Sequence, residues 1–207
     1  MNKWYYISAV CTFIIFCILW ITFDTPLIKA FDQGAFDLLY GLEFFIVFHY
    51  IGETVFIFSV VIILLLIIWD RLKDEKLMLF NVLTGGFGFA LYQVLKYIIE
   101  RPLPQFVDIP TTYSFPSGHA THGFLYLVTI AYVFDRMNIS KKTSRIIWIV
   151  VIILSLLIGL SRISEGRHYA SDILAGWMLG YSWFSLCVWW YVSDYPSSNQ
   201  IGRKYDI

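Results

Sequence analysis

Apolar residues in this chain come in long runs separated by short polar clusters, not at the spacing of a half-buried surface helix or strand. A bilayer-crossing helix needs about 20 mostly apolar residues, because the hydrocarbon core is about 30 Å thick and each residue rises about 1.5 Å. Six segments meet that condition, at about 4–23, 44–69, 77–99, 119–135, 145–161 and 171–192. Positions 24–43 read differently. There Phe31, Phe36 and Leu39 alternate with Asp32 and Asp37, which fits either a short amphipathic helix at the interface or a plain polar loop. From Ser193 onward the chain is polar and expected to be poorly ordered. The predicted fold class is all-α: a six-helix transmembrane bundle forming one domain over 1–207, with an interfacial segment at 24–43 and a tail at 193–207.

Composition supports a membrane domain. Of 207 residues 58% are hydrophobic and 14% charged, too little charge to cover a soluble domain of this length. Net charge is zero and there is no basic tract, so the expected partner is the bilayer and no nucleic acid. Cys11, Cys17 and Cys187 all lie inside apolar runs and are expected to be buried, inert thiols. The run after Lys3 resembles a signal peptide, but it reaches Phe23 without a small-residue cleavage site and reads as a retained first helix.

The placement of Lys and Arg sets the expected orientation. With a cytoplasmic N-terminus, the inner side receives Lys3, Arg71, Lys73, Lys76, Arg136, Lys141, Lys142, Arg145, Arg203 and Lys204. The outer side receives Lys29, Arg101, Arg162 and Arg167, with Lys96 just inside a helix end. Ten against four predicts both termini inside; the expected location, on other grounds than this count, is the plasma membrane of a bacterium. Gly86 and Ala90, Ser155 and Gly159, and Gly176 and Gly180 are each four apart. Each pair shares a helix face, where small residues let helices approach.

The remaining polar residues concentrate at the outer ends of the predicted helices. Lys96 and Arg101 close the third, Ser117, Gly118 and His119 open the fourth, Ser161 and Arg162 close the fifth, and His168 and Asp172 open the sixth. Ionisable groups at membrane depth are costly and are usually functional. Together these groups describe a site for a tetrahedral anion. Lys and Arg neutralise it, Ser117 caps a helix, and Gly118 lets the helix's free N–H groups approach. His168 and Asp172, four apart, share a face, so that a carboxylate can fix one ring nitrogen and leave the other as nucleophile.

Phe115-Pro116-Ser117-Gly118-His119, and Ser161-Arg162 followed after five residues by His168 and after three more by Asp172, resemble the type 2 phosphatidic acid phosphatase superfamily. The resemblance covers about residues 77–190. It implies a hydrolase of lipid phosphates or diphosphates, with phosphatidylglycerophosphate, phosphatidic acid and undecaprenyl pyrophosphate as substrate classes, and an active site on the extracytoplasmic face. It also implies roles. His168 attacks phosphorus to form a phosphohistidine, Asp172 orients it, and His119 protonates the leaving oxygen and then activates water. Lys96, Arg162, Ser117 and the Gly118 backbone hold the phosphoryl oxygens. No metal or other cofactor is expected.

One motif departs from the family. Its first motif has a lysine, six residues, then Arg-Pro; counted from Lys96, the arginine position is Leu103, and Arg101-Pro102 stands two residues early. Residues before proline are pushed toward extended backbone, where positions two apart lie on one side about 6.5 Å from each other. Arg101 is therefore expected to take over part of the phosphate contact, or else to snorkel to the interface. A lost charge-assisted contact costs about 1.5–3 kcal/mol, roughly ten- to a hundredfold in rate if felt only in the transition state. The alternative reading is a relative that binds phosphorylated lipids and turns them over poorly. A transporter is disfavoured, because the polar residues gather at one face instead of lining a path. His49 and Glu53, four apart, either meet the head group or tie two helices together. His122 either orients His119 or bonds a neighbouring backbone. Arg167 either touches the substrate or is solvated, and Glu165 can receive Arg162 or Arg167.

Overall fold

The computed structural model describes residues 3–104 and 112–193. Regular structure among them is entirely helical. The helices are α1 (Lys3–Thr22), α2 (Pro26–Leu39), α3 (Glu43–Gly52), α4 (Thr54–Leu72), α5 (Glu75–Ile99), α6 (Gly118–Arg136), α7 (Lys141–Ser164) and α8 (Ala170–Ser193). The part of the predicted tail beyond 193 lies outside the described residues.

Five helices, α1, α4, α5, α7 and α8, are long and apolar enough to cross a membrane. The predicted fourth span, 119–135, forms α6 but is not among those five. The other helices enclose it, and 13 of its 19 residues are buried. Its surroundings are protein and not lipid, which is why Thr121, His122 and Thr129 are tolerated along it. Exposed apolar side chains instead cover the outer helices, among them Ile14 and Ile18 on α1, Val55 and Ile62 on α4, and Ile149 and Ile153 on α7. A belt of that kind suits hydrocarbon. Cys11 lies in it: contrary to expectation Cys11 is exposed and Cys17 half-buried, and only Cys187 is buried.

The predicted second span, 44–69, is not one helix. The chain is extended at Glu53 (φ −69°, ψ 140°), which separates α3 from α4. α3 instead follows α2 across a bend of 101°, and the two together form either a broken span or a re-entrant segment. Positions 24–43 do contain a helix, started by Pro26 at its first turn. The helix is amphipathic as one alternative had it, with Leu39 half-buried against the core and Asp37 exposed, but Phe31 points outward and Asp32 is buried.

α1 lies along α8, with Ala9 and Phe16 buried and the Ser182 hydroxyl donating to the Ala9 carbonyl at 2.9 Å. α5 contains a π-helical turn at Leu83–Phe87. Two of its carbonyls, which accept from the Gly88 N–H, take a second bond from neighbouring helices: Trp183 Nε1 donates to the Leu83 carbonyl at 2.9 Å, and His122 Nε2 sits 2.8 Å from that of Gly85. His122 thus bonds a neighbouring backbone, one of its two expected roles.

Of the small-residue pairs, Gly176 and Gly180 make the closest approach to a neighbouring backbone. A β-carbon at Gly176 would stand 2.9 Å from the Ser117 carbonyl oxygen, and one at Gly180 would stand 3.1 Å from that of Thr121. Gly159 faces Trp177 and Ile173, whereas a β-carbon at Gly86 would meet nothing closer than 3.9 Å. Gly176→Ala is expected to destabilise the protein by about 1–3 kcal/mol through overpacking. Gly34→Ala, in open space on α2, should cost nothing and can gain about 0.4–1 kcal/mol. Thermal unfolding in detergent checks this, and equal melting of the two variants would contradict the packing argument.

Candidate active site

Four helix ends meet at one end of the bundle. α7 stops where Gly166 takes a left-handed conformation (φ +66°), a conformation that glycine adopts without a side-chain clash. The N–H groups of Arg167 and His168 then return to the Arg162 carbonyl at 3.0 and 3.2 Å. That closing turn fixes His168 relative to Arg162. On the neighbouring segment the Ser117 N–H donates to the Asp172 carbonyl at 3.1 Å, tying the start of α6 to the first turn of α8. The Ser114 N–H donates to the Arg101 carbonyl at 2.8 Å, and Lys96 Nζ donates to the Tyr113 carbonyl at 2.8 Å, joining the end of α5 to the same segment.

These ties create a cavity of about 320 Å³, lined in part by Lys96, Gly118, His119, Arg162 and His168. Thr54, Tyr92, Gln93, Tyr97 and Thr112 complete its wall, and the sequence analysis named none of these. They are ordinary polar and aromatic residues whose convergence depends on helix packing.

The side chains divide by task. Ser117 does not line the cavity; its Oγ accepts from the Ala120 N–H at 3.4 Å and caps α6. The N–H groups of Gly118 and His119 form no hydrogen bond among the described residues, so a helix N-terminus offers two donors at the wall. Gly118 is required there, because a β-carbon would fall 2.7 Å from the Tyr92 ring. Arg162 pairs with Glu165 at 2.6 Å, while its Nε is buried and unbonded among the described residues. His119 Nε2 is likewise buried and unbonded, 3.5 Å from Glu53 Oε1. These are donors left for a ligand.

His168 Nδ1 faces Asp172 Oδ2 at 3.5 Å. Asp172 is fully buried, and Oδ2 also accepts from the Tyr169 N–H at 3.0 Å. Burial pushes the His168 imidazole down from 6.5 to about 4, against the opposing pull of the Asp172 carboxylate facing Nδ1.

Arg101 departs from expectation. It does not line the cavity, and its guanidinium neither reaches toward it nor snorkels outward. It is buried, with Nη1 donating to Asp172 Oδ1 at 2.6 Å and Nη2 donating to Asp32 Oδ2 at 2.8 Å. It is turned inward, where each edge of the guanidinium meets a buried carboxylate and no charge is left without a partner. Leu103 is absent from the wall as well.

His49 and Glu53 do not pair with each other. The 3₁₀ geometry of Val47–Gly52 separates them: His49 Nδ1 stands 2.7 Å from Glu165, and Glu53 is directed to His119. Both border a second cavity of about 620 Å³ that shares Arg162 with the first and is also lined by Arg167.

Comparison with known proteins adds independent findings. The model of the PAP2 superfamily matches residues 75–195. The chain is 31% identical over 201 residues to an undecaprenyl-diphosphatase of Sulfolobus acidocaldarius, covering 89% of this chain and 90% of that protein. It is 30% identical over 142 residues to phosphatidylglycerophosphatase B of Bacillus subtilis, covering 66% and 68%. In three dimensions it resembles a transmembrane PAP2-type phosphatidylglycerolphosphate phosphatase of Bacillus subtilis with a TM-score of 0.80 at 23% identity, over 96% of this chain and 98% of that one.

Proposed function

Because the chain belongs to the PAP2 superfamily, we propose that it is a membrane lipid phosphatase that hydrolyses a terminal phosphate through a phosphohistidine. The observation that carries this reading is the convergence of Lys96, Gly118, His119, Arg162 and His168 on one cavity. Two cations and a helix N-terminus receive the phosphoryl oxygens, and they hold still while charge develops. His168, with Nδ1 turned to Asp172, presents Nε2 to phosphorus. The N–P bond forms as the P–O bond to the lipid breaks, and His119 delivers a proton to the departing oxygen. Water then attacks phosphorus, His119 takes its proton, and the P–N bond breaks to release inorganic phosphate.

The site is proposed to face away from the cytosol. Supporting this, the Lys-rich turn at 73–76 sits at the other end of α8, where Tyr191 donates to Asp74 at 2.7 Å and Lys76 lies 5.0 Å from the Trp190 ring. At about 1.5 Å per residue, the 24 residues of α8 place that turn on the order of 36 Å from the His168 end. A cysteine replacing Arg167 should react with a membrane-impermeant thiol reagent in intact cells; protection until lysis would reverse the assignment.

The activity is tested by phosphate release from phosphatidylglycerophosphate, phosphatidic acid and undecaprenyl pyrophosphate by detergent-solubilised protein. At least one should be turned over. Binding without release from any of them would instead favour the poorly active relative suggested by Leu103.

The His168 pKa sets a pH expectation. Its value near 4 lies below the usual 6.5, so the ring is neutral and nucleophilic at pH 7. The corresponding loss of kcat/KM is expected near pH 4 and not near 6.5. Stability follows the same sign: between those values the unfolded chain binds more protons, so this contribution is intact above about 6.5 and lost as pH falls toward 4. Urea unfolding from pH 7.5 to 4 measures it, and a flat response that persists in His168→Gln would contradict the burial argument.

A further inference from the structure

Behind the cavity lies a buried network that the phosphatase mechanism above does not use. Asp32 comes from α2, far in sequence from the motifs, and is 5% exposed. Its Oδ1 accepts from the Ser171 N–H at 2.8 Å, and its Oδ2 accepts from the Ser171 hydroxyl and Arg101 Nη2, both at 2.8 Å. Arg101 Nη1 donates to Ser171 Oγ at 2.8 Å and to Asp172 Oδ1 at 2.6 Å. Its guanidinium is flanked by the rings of Phe23 at 4.7 Å and Tyr169 at 4.1 Å. One cation thus joins two buried carboxylates, and Asp32, Arg101 and Ser171 all stand outside the cavity wall.

We propose that Asp32 and Arg101 are positioning residues for the reaction: together they hold Asp172 by its Oδ1 so that Oδ2 is presented to His168. The logic is geometric. Asp172 has two oxygens, and the shorter, charge-assisted contact takes Oδ1. The oxygen that remains is the one 3.5 Å from His168 Nδ1. Asp32 in turn locks the guanidinium, because without it one edge of Arg101 would lack a partner and the group could rotate away from Asp172. With Asp32 the one guanidinium and two carboxylates carry a net negative charge, which favours the positive charge that builds on the His168 ring as it attacks. α2 therefore supports the catalytic centre from behind the cavity wall while its other face stays apolar and exposed, and its buried aspartate is the point of contact.

This inference rests on the reading of His168 and Asp172 as nucleophile and orienting carboxylate. The test compares Asp32→Asn, Asp32→Ala, Arg101→Gln and Arg101→Lys with the wild type, using phosphate release from the best lipid substrate and inhibition by inorganic vanadate. A small misplacement of a reacting group costs on the order of a hundredfold in rate. Asp32→Ala and Arg101→Gln should therefore lose roughly ten- to a hundredfold in kcat. KM and the vanadate inhibition constant should stay within about twofold, since Lys96, Arg162 and Gly118 are untouched. Asp32→Asn preserves shape and serves if the alanine variant does not fold; it should lose kcat less steeply, as should Arg101→Lys relative to Arg101→Gln. Combined with Asp172→Asn, Asp32→Asn should add little further loss, because both act through one oxygen.

A wild-type kcat in folded Asp32→Ala or Asp32→Asn overturns the proposal. So does a vanadate constant that weakens in step with kcat in Arg101→Gln, which would make Arg101 a phosphate ligand, or full additivity with Asp172→Asn. If His168→Ala retains wild-type turnover, the fault lies in the assignment of His168 as nucleophile, on which the network's role rests, whereas absence of turnover in the wild type would instead sink the phosphatase reading.

Discussion

His168→Ala is expected to lower lipid-phosphate turnover by roughly a thousandfold or more, the size of loss seen when a covalent nucleophile is removed from a site that keeps its anion-binding groups. His168 is 6% exposed, lines the cavity beside Lys96 and Arg162, and turns Nδ1 to Asp172. Its other nitrogen is the neutral nucleophile in the proposed mechanism, and no cysteine lines the cavity wall to replace it. Arg162, Lys96 and the start of α6 would still hold the phosphate, so residual catalysis should come from direct attack by water. Inhibition by vanadate should therefore survive within a few fold while turnover collapses. Alkaline quenching of wild-type enzyme with labelled substrate should trap phosphate on His168, and the variant should carry none. Retention of more than about a tenth of the activity by a folded His168→Ala protein would remove covalent catalysis from the mechanism.

His119→Ala is expected to cost about a hundred- to ten-thousandfold with lipid substrates, the range for general acid–base catalysis. His119 opens α6, with Nε2 buried, unbonded among the described residues and 3.5 Å from Glu53. A lipid alkoxide is a poor leaving group and needs a proton. A nitrophenolate does not. With an aryl phosphate the variant should therefore release a near-normal burst of nitrophenol, about one per enzyme, and then stall, because water attack on the phosphohistidine still needs His119 as base. Rapid-mixing absorbance measures both phases. An equal loss in the burst for lipid and aryl substrates would assign His119 to binding instead of proton transfer.

The contrast between Arg101 and Arg162 shows how far a one-dimensional reading reaches. Both are arginines at predicted helix ends; the family resemblance placed Arg162 on the phosphate, and the extended-backbone reading offered Arg101 either a share of that contact or the interface. Arg162 lines the cavity, because the Gly166 turn holds it next to His168. Arg101 is drawn to Asp32 and Asp172, and no spacing along the chain reports that a residue 69 positions earlier waits for it. His49 and Glu53 do each meet a neighbouring helix end, but different ones, at Glu165 and His119: four-residue spacing implies a shared face only where the helix is α-helical, and there it is not.

The sequence by itself determined the membrane character, the helical class and the candidate residues Lys96, Gly118, His119, Arg162 and His168 that the fold gathers on one cavity. Those depend on local quantities: the length of apolar runs, and the cost of placing histidine, lysine and arginine at helix ends in a bilayer. Tertiary structure alone decided that α6 is sheathed by protein, that the predicted second span breaks at Glu53, and that Asp32 and Arg101 stand behind Asp172. Each of these depends on which helices become neighbours, and buried charge seeks its partner through space and not along the chain.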